Sequence, residues 1–174
     1  MKTGFVAGTF DLFHIGHVRR IQQARAVCDR LIVGVATDAC LALCKAPAIV
    51  PLEQRMELIG ALQGVDEVQP LHSLDLPAVW QELRFDVIVV GDDNQREYFQ
   101  MFETWFRAAG VTVLYHPRTS GISTSLLLSQ IRARDAASMV QARSAFPWPH
   151  RLWERLSAGR VSLVHSEAGR DIPD

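Results

Sequence analysis

Ten residues near the start of the chain, Gly8-Thr9-Phe10-Asp11-Leu12-Phe13-His14-Ile15-Gly16-His17, bring together two imidazoles, a carboxylate and two glycines. The apolar run Gly4-Phe5-Val6-Ala7 leads into them, and Val18, Ile21, Ala24 and Cys28 follow at helical spacing. The motif therefore occupies a strand-to-helix turn. A helix N-terminus there presents free backbone N–H groups and a partial positive charge, which favours phosphate. His14 and His17 straddle the turn and can point at the same anion, while the glycines permit close approach. A His-x-x-His pair with Asp11 can also chelate a metal, but that reading leaves the glycines without a purpose.

A second strand-loop-helix follows Val111-Thr112-Val113-Leu114-Tyr115. Its loop is Arg118-Thr119-Ser120-Gly121-Ile122-Ser123-Thr124-Ser125, and Leu126 to Arg132 is compatible with a helix. Ser123 or Thr124 caps that helix, and Arg118 supplies a forked permanent charge suited to phosphate. Both anion sites fall at carboxyl ends of strands, facing one crevice.

Gly-Thr-Phe-Asp followed by His-x-Gly-His, paired with this second loop, resembles the signature of the cytidylyltransferase-like nucleotidyltransferases, which move a nucleotidyl group from a nucleoside triphosphate onto a phosphorylated acceptor. The resemblance covers residues 3 to 133. It implies catalytic roles for His14, His17, Lys45 and Arg118. It implies nucleotide contacts for Gly8, Thr9, Phe10, Gly16, Gly91, Asp92, Asp93, Thr119, Gly121, Ile122, Ser123 and Thr124. Asp38, at the carboxyl end of a strand, is placed to accept from ribose hydroxyls or to serve as a helix N-cap or turn aspartate. Asp11 and Arg55 are expected at the acceptor, Arg55 from a Glu-x-Arg element that steers phosphates or braces the Lys45 loop.

The subfamily follows from two elements. Gly91-Asp92-Asp93 and the Arg118–Ser125 loop both resemble glycerol-3-phosphate cytidylyltransferases, so CTP and a phosphorylated alcohol are the expected substrates, with Mg²⁺ arriving on the nucleotide and no protein metal ligands. Gln63 departs from the pattern, since many relatives carry a basic residue there. Pro51-Leu52-Glu53-Gln54-Arg55-Met56 also looks like bacterial heptose-phosphate adenylyltransferases, making ATP with a sugar phosphate such as heptose 1-phosphate the alternative. A nucleotide-binding regulator without turnover is the alternative of another class.

The elements that position these residues alternate strand and helix, the pattern of a parallel sheet covered on both faces. Strands are expected at about Thr3 to Ala7, Leu31 to Ala36, Val65 to Val68, Asp86 to Val90 and Val111 to Tyr115, forming a doubly wound five-stranded sheet of order 3-2-1-4-5. Helices are expected over Gly16 to Asp29, from Pro51, over Pro77 to Arg84 and over Asn94 to Ala109, with residues 39 to 51 a connection. Tyr98, Phe99, Phe102, Trp105 and Phe106 form an aromatic stripe that is core or a subunit contact.

The chain has 174 residues, 48% hydrophobic and 21% charged, with a net charge of −1. That size suits one nucleotidyltransferase domain over 1-134 and an extension over 135-174 of unassigned role. The balanced charge gives no electrostatic case for nucleic acid or membrane. The longest apolar runs are strand-length and no leader is read at the N-terminus, so the expected location is the cytoplasm. Cys28, Cys40 and Cys44 fit reduced thiols. A homodimer is the expected assembly.

Overall fold

The structure is a computed structural model in which residues 1–42, 47–92 and 96–145 are described. The chain divides into two units, Met1–Ser129 and Gln130–Asp174. The first carries five parallel strands in the order β3-β2-β1-β4-β5: β1 (Thr3–Gly8), β2 (Arg30–Ala36), β3 (Glu67–Leu71), β4 (Val87–Asp92) and β5 (Thr112–Pro117). Between them lie α1 (Ile15–Arg25), α2 (Asp38–Ala42), α3 (Leu52–Gly60), α4 (Leu76–Leu83) and α5 (Arg96–Ala108), and α6 (Thr124–Ala145) follows β5.

Alternation along the strands splits the core into two layers, because successive side chains point to opposite faces. Phe5, Ile32 and Ile88 join Val79, Phe85, Phe99 and Phe106 on one side. Val6, Val33, Val35 and Val89 join Ile21, Ala24 and Ile59 on the other. The sheet is thus covered on both faces, as the apolar strand composition requires. Phe99 and Phe106 are buried and Phe102 and Trp105 pack against the same cluster, so these four aromatics of α5 belong to the core, while the side chain of Tyr98 lies outside the described residues.

Three boundaries depart from the sequence expectation. Residues 38–42 form a helical turn rather than opening a connection, because Thr37 Oγ1 accepts the Cys40 N–H at 3.1 Å and caps it. The third strand lies at Glu67–Leu71, beyond the expected Val65 to Val68, since Asp66 is occupied at the strand entrance. Its carboxylate accepts the Leu31 N–H at 2.7 Å and pairs with Arg25. The final helix extends to Ala145, well past Arg132. The expected boundary at 134/135 falls within it. Residues beyond 145 lie outside the described residues.

Candidate active site

The turn from β1 into α1 is tightly determined. Phe10 and Leu12 adopt left-handed φ values of +54° and +45°, a conformation that costs about 1–2 kcal/mol for a residue with a Cβ. The strained turn places Asp11 between them. Its Oδ1 accepts N–H groups from Leu12 at 3.0 Å and Val50 at 2.9 Å, and Oδ2 accepts that of Ile49 at 3.0 Å. Asp11 thus anchors the Pro47–Val50 segment. It also lines the cavity.

His14 is the N-cap of α1. Its Nδ1 accepts the Gly16 N–H at 3.1 Å, and His17 Nδ1 accepts the His14 N–H at 3.4 Å, completing a reciprocal capping box. The His17 and Val18 N–H groups bond the His14 carbonyl at 2.9 and 3.4 Å. The first amides of the helix are therefore largely satisfied within the turn, which corrects the expectation that they hold phosphate directly. The imidazoles replace them. With Nδ1 of each ring accepting a backbone N–H, the proton of the neutral ring sits on Nε2, so both rings are Nε2–H donors for the cavity they line.

The two rings stack with centroids 3.9 Å apart, and His17 is further packed against Phe10 and Phe13. Burial, then His14, then Arg20 push the His17 pKa down to about 3, and burial and Arg20 lower that of His14. Both rings are neutral near pH 7. An added Cβ on Gly16 would lie 2.9 Å from His14 Cε1 and 3.0 Å from Nδ1, so the pairing requires glycine there.

The second loop meets the first. Ser123 caps α6, its Oγ accepting the Leu126 N–H at 3.1 Å. Thr124 Oγ1 donates to the Asp11 carbonyl at 3.0 Å and ties the two loops together. Gly8, Thr9, Phe10, Asp11, His14, Gly16, His17, Gly91, Arg118, Thr119, Ile122, Ser123 and Thr124 line one cavity of about 660 Å³. Gly121 sits in the same loop without lining it, at a φ of +76°.

Arg55 and Asp38 stand elsewhere. Arg55 is completely buried. Its Nε donates to the Val50 carbonyl at 2.8 Å, Nη1 to those of Thr9 and Ala36 at 2.7 and 2.8 Å, and Nη2 to the Asp38 carboxylate. It does not line the cavity and cannot meet the acceptor, which corrects that assignment in favour of bracing. Asp38, committed to Arg55, likewise does not line the cavity. Lys45 and Asp93 lie outside the described residues, as does the side chain of Asp92.

Among the cavity-lining residues that sequence reading missed are one guanidinium and one further imidazole. Arg20 follows His17 by three positions on α1, and its guanidinium lies 5.2 Å from the Phe10 ring centroid. His116 is the penultimate residue of β5, two before Arg118. The i, i+3 relation to His17 and the position at a strand's carboxyl end were the available signals.

Among the described residues no three His, Cys, Asp or Glu side chains cluster as metal ligands. Each Asp11 oxygen accepts at least one backbone N–H.

Two strand-turn-helix loops meet on one cavity at the carboxyl edge of a doubly wound sheet, the place where proteins of the α/β class take their ligands. A family model described as cytidylyltransferase-like matches residues 5–130. The chain belongs to that family. It is 40% identical over 130 residues to the bifunctional protein HldE of Halorhodospira halophila, covering 73% of this chain and 27% of that protein. It is 36% identical over 94 residues to the ethanolamine-phosphate cytidylyltransferase of Arabidopsis thaliana, covering 51% of this chain and 22% of that one. The chain thus spans about a quarter of the length of these curated relatives. Among solved structures, the lipopolysaccharide core biosynthesis protein of Thermoplasma volcanium aligns with a TM-score of 0.58 at 26% identity over 68% of this chain and 97% of that one. No helix among the described residues is long and apolar enough to cross a membrane.

Proposed function

We propose that the protein transfers CMP from CTP to a phosphorylated alcohol such as glycerol 3-phosphate, giving a CDP-alcohol and pyrophosphate. The observation that carries this is the convergence of His14 and His17 with the Arg118–Thr124 loop on one cavity, because that loop is the element resembling cytidylyltransferases of phosphorylated alcohols. An acceptor phosphate oxygen attacks the α-phosphorus in line, the bond to the bridging oxygen breaks, and pyrophosphate leaves with the charge. No side-chain nucleophile is required. Catalysis is positioning and charge stabilisation. The Nε2–H groups of His14 and His17 donate to oxygens that gain charge, while Arg118 and the Ser123 turn hold the triphosphate.

Lys45 is assigned to the triphosphate and Asp92 and Asp93 to the nucleoside on the family resemblance. Mg²⁺ accompanies the nucleotide and neutralises phosphate charge. Arg55 and Asp11 act through the backbone they hold. A homodimer in the cytoplasm is the proposed setting.

A second reading, adenylyl transfer from ATP to a sugar phosphate such as heptose 1-phosphate, is favoured by Pro51–Met56. Pyrophosphate release measured with CTP and ATP against phosphorylated alcohols, sugars and aminoalcohols separates the two. Release with CTP and an alcohol phosphate is expected. Release only with ATP overturns the choice of base, and binding without release with any acceptor overturns the reaction.

A further inference from the structure

In a sheet of order 3-2-1-4-5 the strand order reverses between β1 and β4, and ligands settle in the crevice outside the carboxyl ends at that point. Here the crevice is floored by glycine. Gly8 ends β1, and Gly91 lies beside His116 in the β4–β5 ladder. Gly8, Gly91, Arg20 and His116 all line the cavity. Over Gly8 stand the Arg20 guanidinium and the Phe10 ring, and beside Gly91 stands His116.

The Arg20 and His116 side chains are built into place. Arg20 lies against the floor so closely that a Cβ on Gly8 would sit 2.6 Å from its Nη2, and its guanidinium packs over the Phe10 ring. His116 is held by Gln23 on α1, whose Oε1 meets its Nδ1. An amide oxygen only accepts, so Nδ1 carries the proton and Nε2 is left as an acceptor. Burial, with Arg20 and Arg19 nearby, keeps this ring neutral. His116 Nε2 is buried without a hydrogen-bond partner among the described residues, a condition that costs free energy until a donor arrives. His17, Arg20 and Gln23, each three positions apart, form one line along α1.

The geometry points to Arg20 and His116 as the readers of the nucleobase edge, Arg20 donating its fork to the O2 and N3 acceptors of a cytosine and His116 Nε2 accepting from the exocyclic amine. This deepens the cytidylyl-transfer reading and rests on it. Adenine keeps the amine but has no O2 beside its ring nitrogen, so the fork is half used. Uracil presents an oxygen to His116 and an N–H to Arg20, opposing both. Forked arginine contacts of this kind discriminate between bases by about 10- to 100-fold.

The test is titration calorimetry of CTP and ATP on the full chain, with Arg20→Lys, His116→Leu and His116→Gln. The wild type is expected to prefer CTP. Arg20→Lys, which keeps the charge and loses the fork, and His116→Leu are each expected to reduce that preference about tenfold or more. His116→Gln, which restores an acceptor, is expected to recover most of it. A wild-type preference for ATP contradicts the cytidylyl reading itself. A CTP preference that survives in Arg20→Lys and His116→Leu overturns this inference alone, as does an equal loss of affinity for both nucleotides, which would place the two residues on the shared triphosphate.

Discussion

His14 and His17 stack face to face with centroids 3.9 Å apart, and each gives its Nδ1 to a backbone N–H of the turn that holds them. One arrangement therefore caps α1 and fixes the tautomer. The polarity of a helix N-terminus, normally offered by amides, is passed through two rings to their Nε2–H groups.

Capping and catalysis can be separated at His14. Removing an N-cap costs about 1 kcal/mol, so His14→Ala is expected to lose both stability and turnover. Asparagine caps well but puts no Nε2–H in the cavity. His14→Asn is expected to unfold in urea near the wild-type midpoint while turnover falls on the order of 10²-fold. Urea titration alongside a pyrophosphate-release assay checks this, and recovered turnover in His14→Asn would rule out the donor role.

The depressed pKa of His17 has a stability signature. Above pH 6.5, its ordinary value, the ring is neutral in both states. Between 6.5 and about 3 the unfolded chain binds a proton that the folded one does not, so stability falls as pH falls through that window. Thermal unfolding of wild type and His17→Gln from pH 7 to pH 4 should show a shallower decline in the variant. Parallel declines would mean the ring titrates normally.

Arg55 carries the wall of the site from inside the fold. Truncation to Met leaves the carbonyls of Val50, Thr9 and Ala36 without their donor, and the expected loss is on the order of 3 kcal/mol. Chemical denaturation measures it. In the same way, Asp11→Ala should speed hydrogen exchange at the Ile49 and Val50 amides, and unchanged exchange would show that the carboxylate does not hold the segment.

Alanine generally favours a helix over glycine by about 1 kcal/mol, yet Gly16→Ala is expected to lower turnover because the new Cβ meets the His14 ring. Loss of turnover with retained melting temperature is the expected pair of results. Full activity would mean the ring can give way without consequence.

Much of this was legible in the sequence for a physical reason. Val33, Val35, Ile88 and Val89 belong to strands buried on both faces, which read as continuous apolar runs, and the two loops carry local signals in glycine, hydroxyl and charge. Long-range commitments left no such mark. Nothing near Arg55 in sequence announces that Thr9, Ala36 and Asp38 will claim its guanidinium. A Glu-x-Arg on a helix reads equally as a surface ion pair. Arg20 and Gln23 resemble ordinary polar positions of an amphipathic helix until β5 brings His116 alongside them. Asp11 could be placed in the right turn, but not seen to spend both oxygens on a segment nearly forty residues away.

The most direct test of the central claim, that paired neutral histidines and the second loop form one nucleotidyl-transfer site, is pyrophosphate release from CTP with a phosphorylated alcohol by wild type and His17→Ala side by side. Release by the wild type, reduced on the order of 10²-fold or more in the variant with its fold intact, is the expected result. Equal release by the two proteins would contradict it.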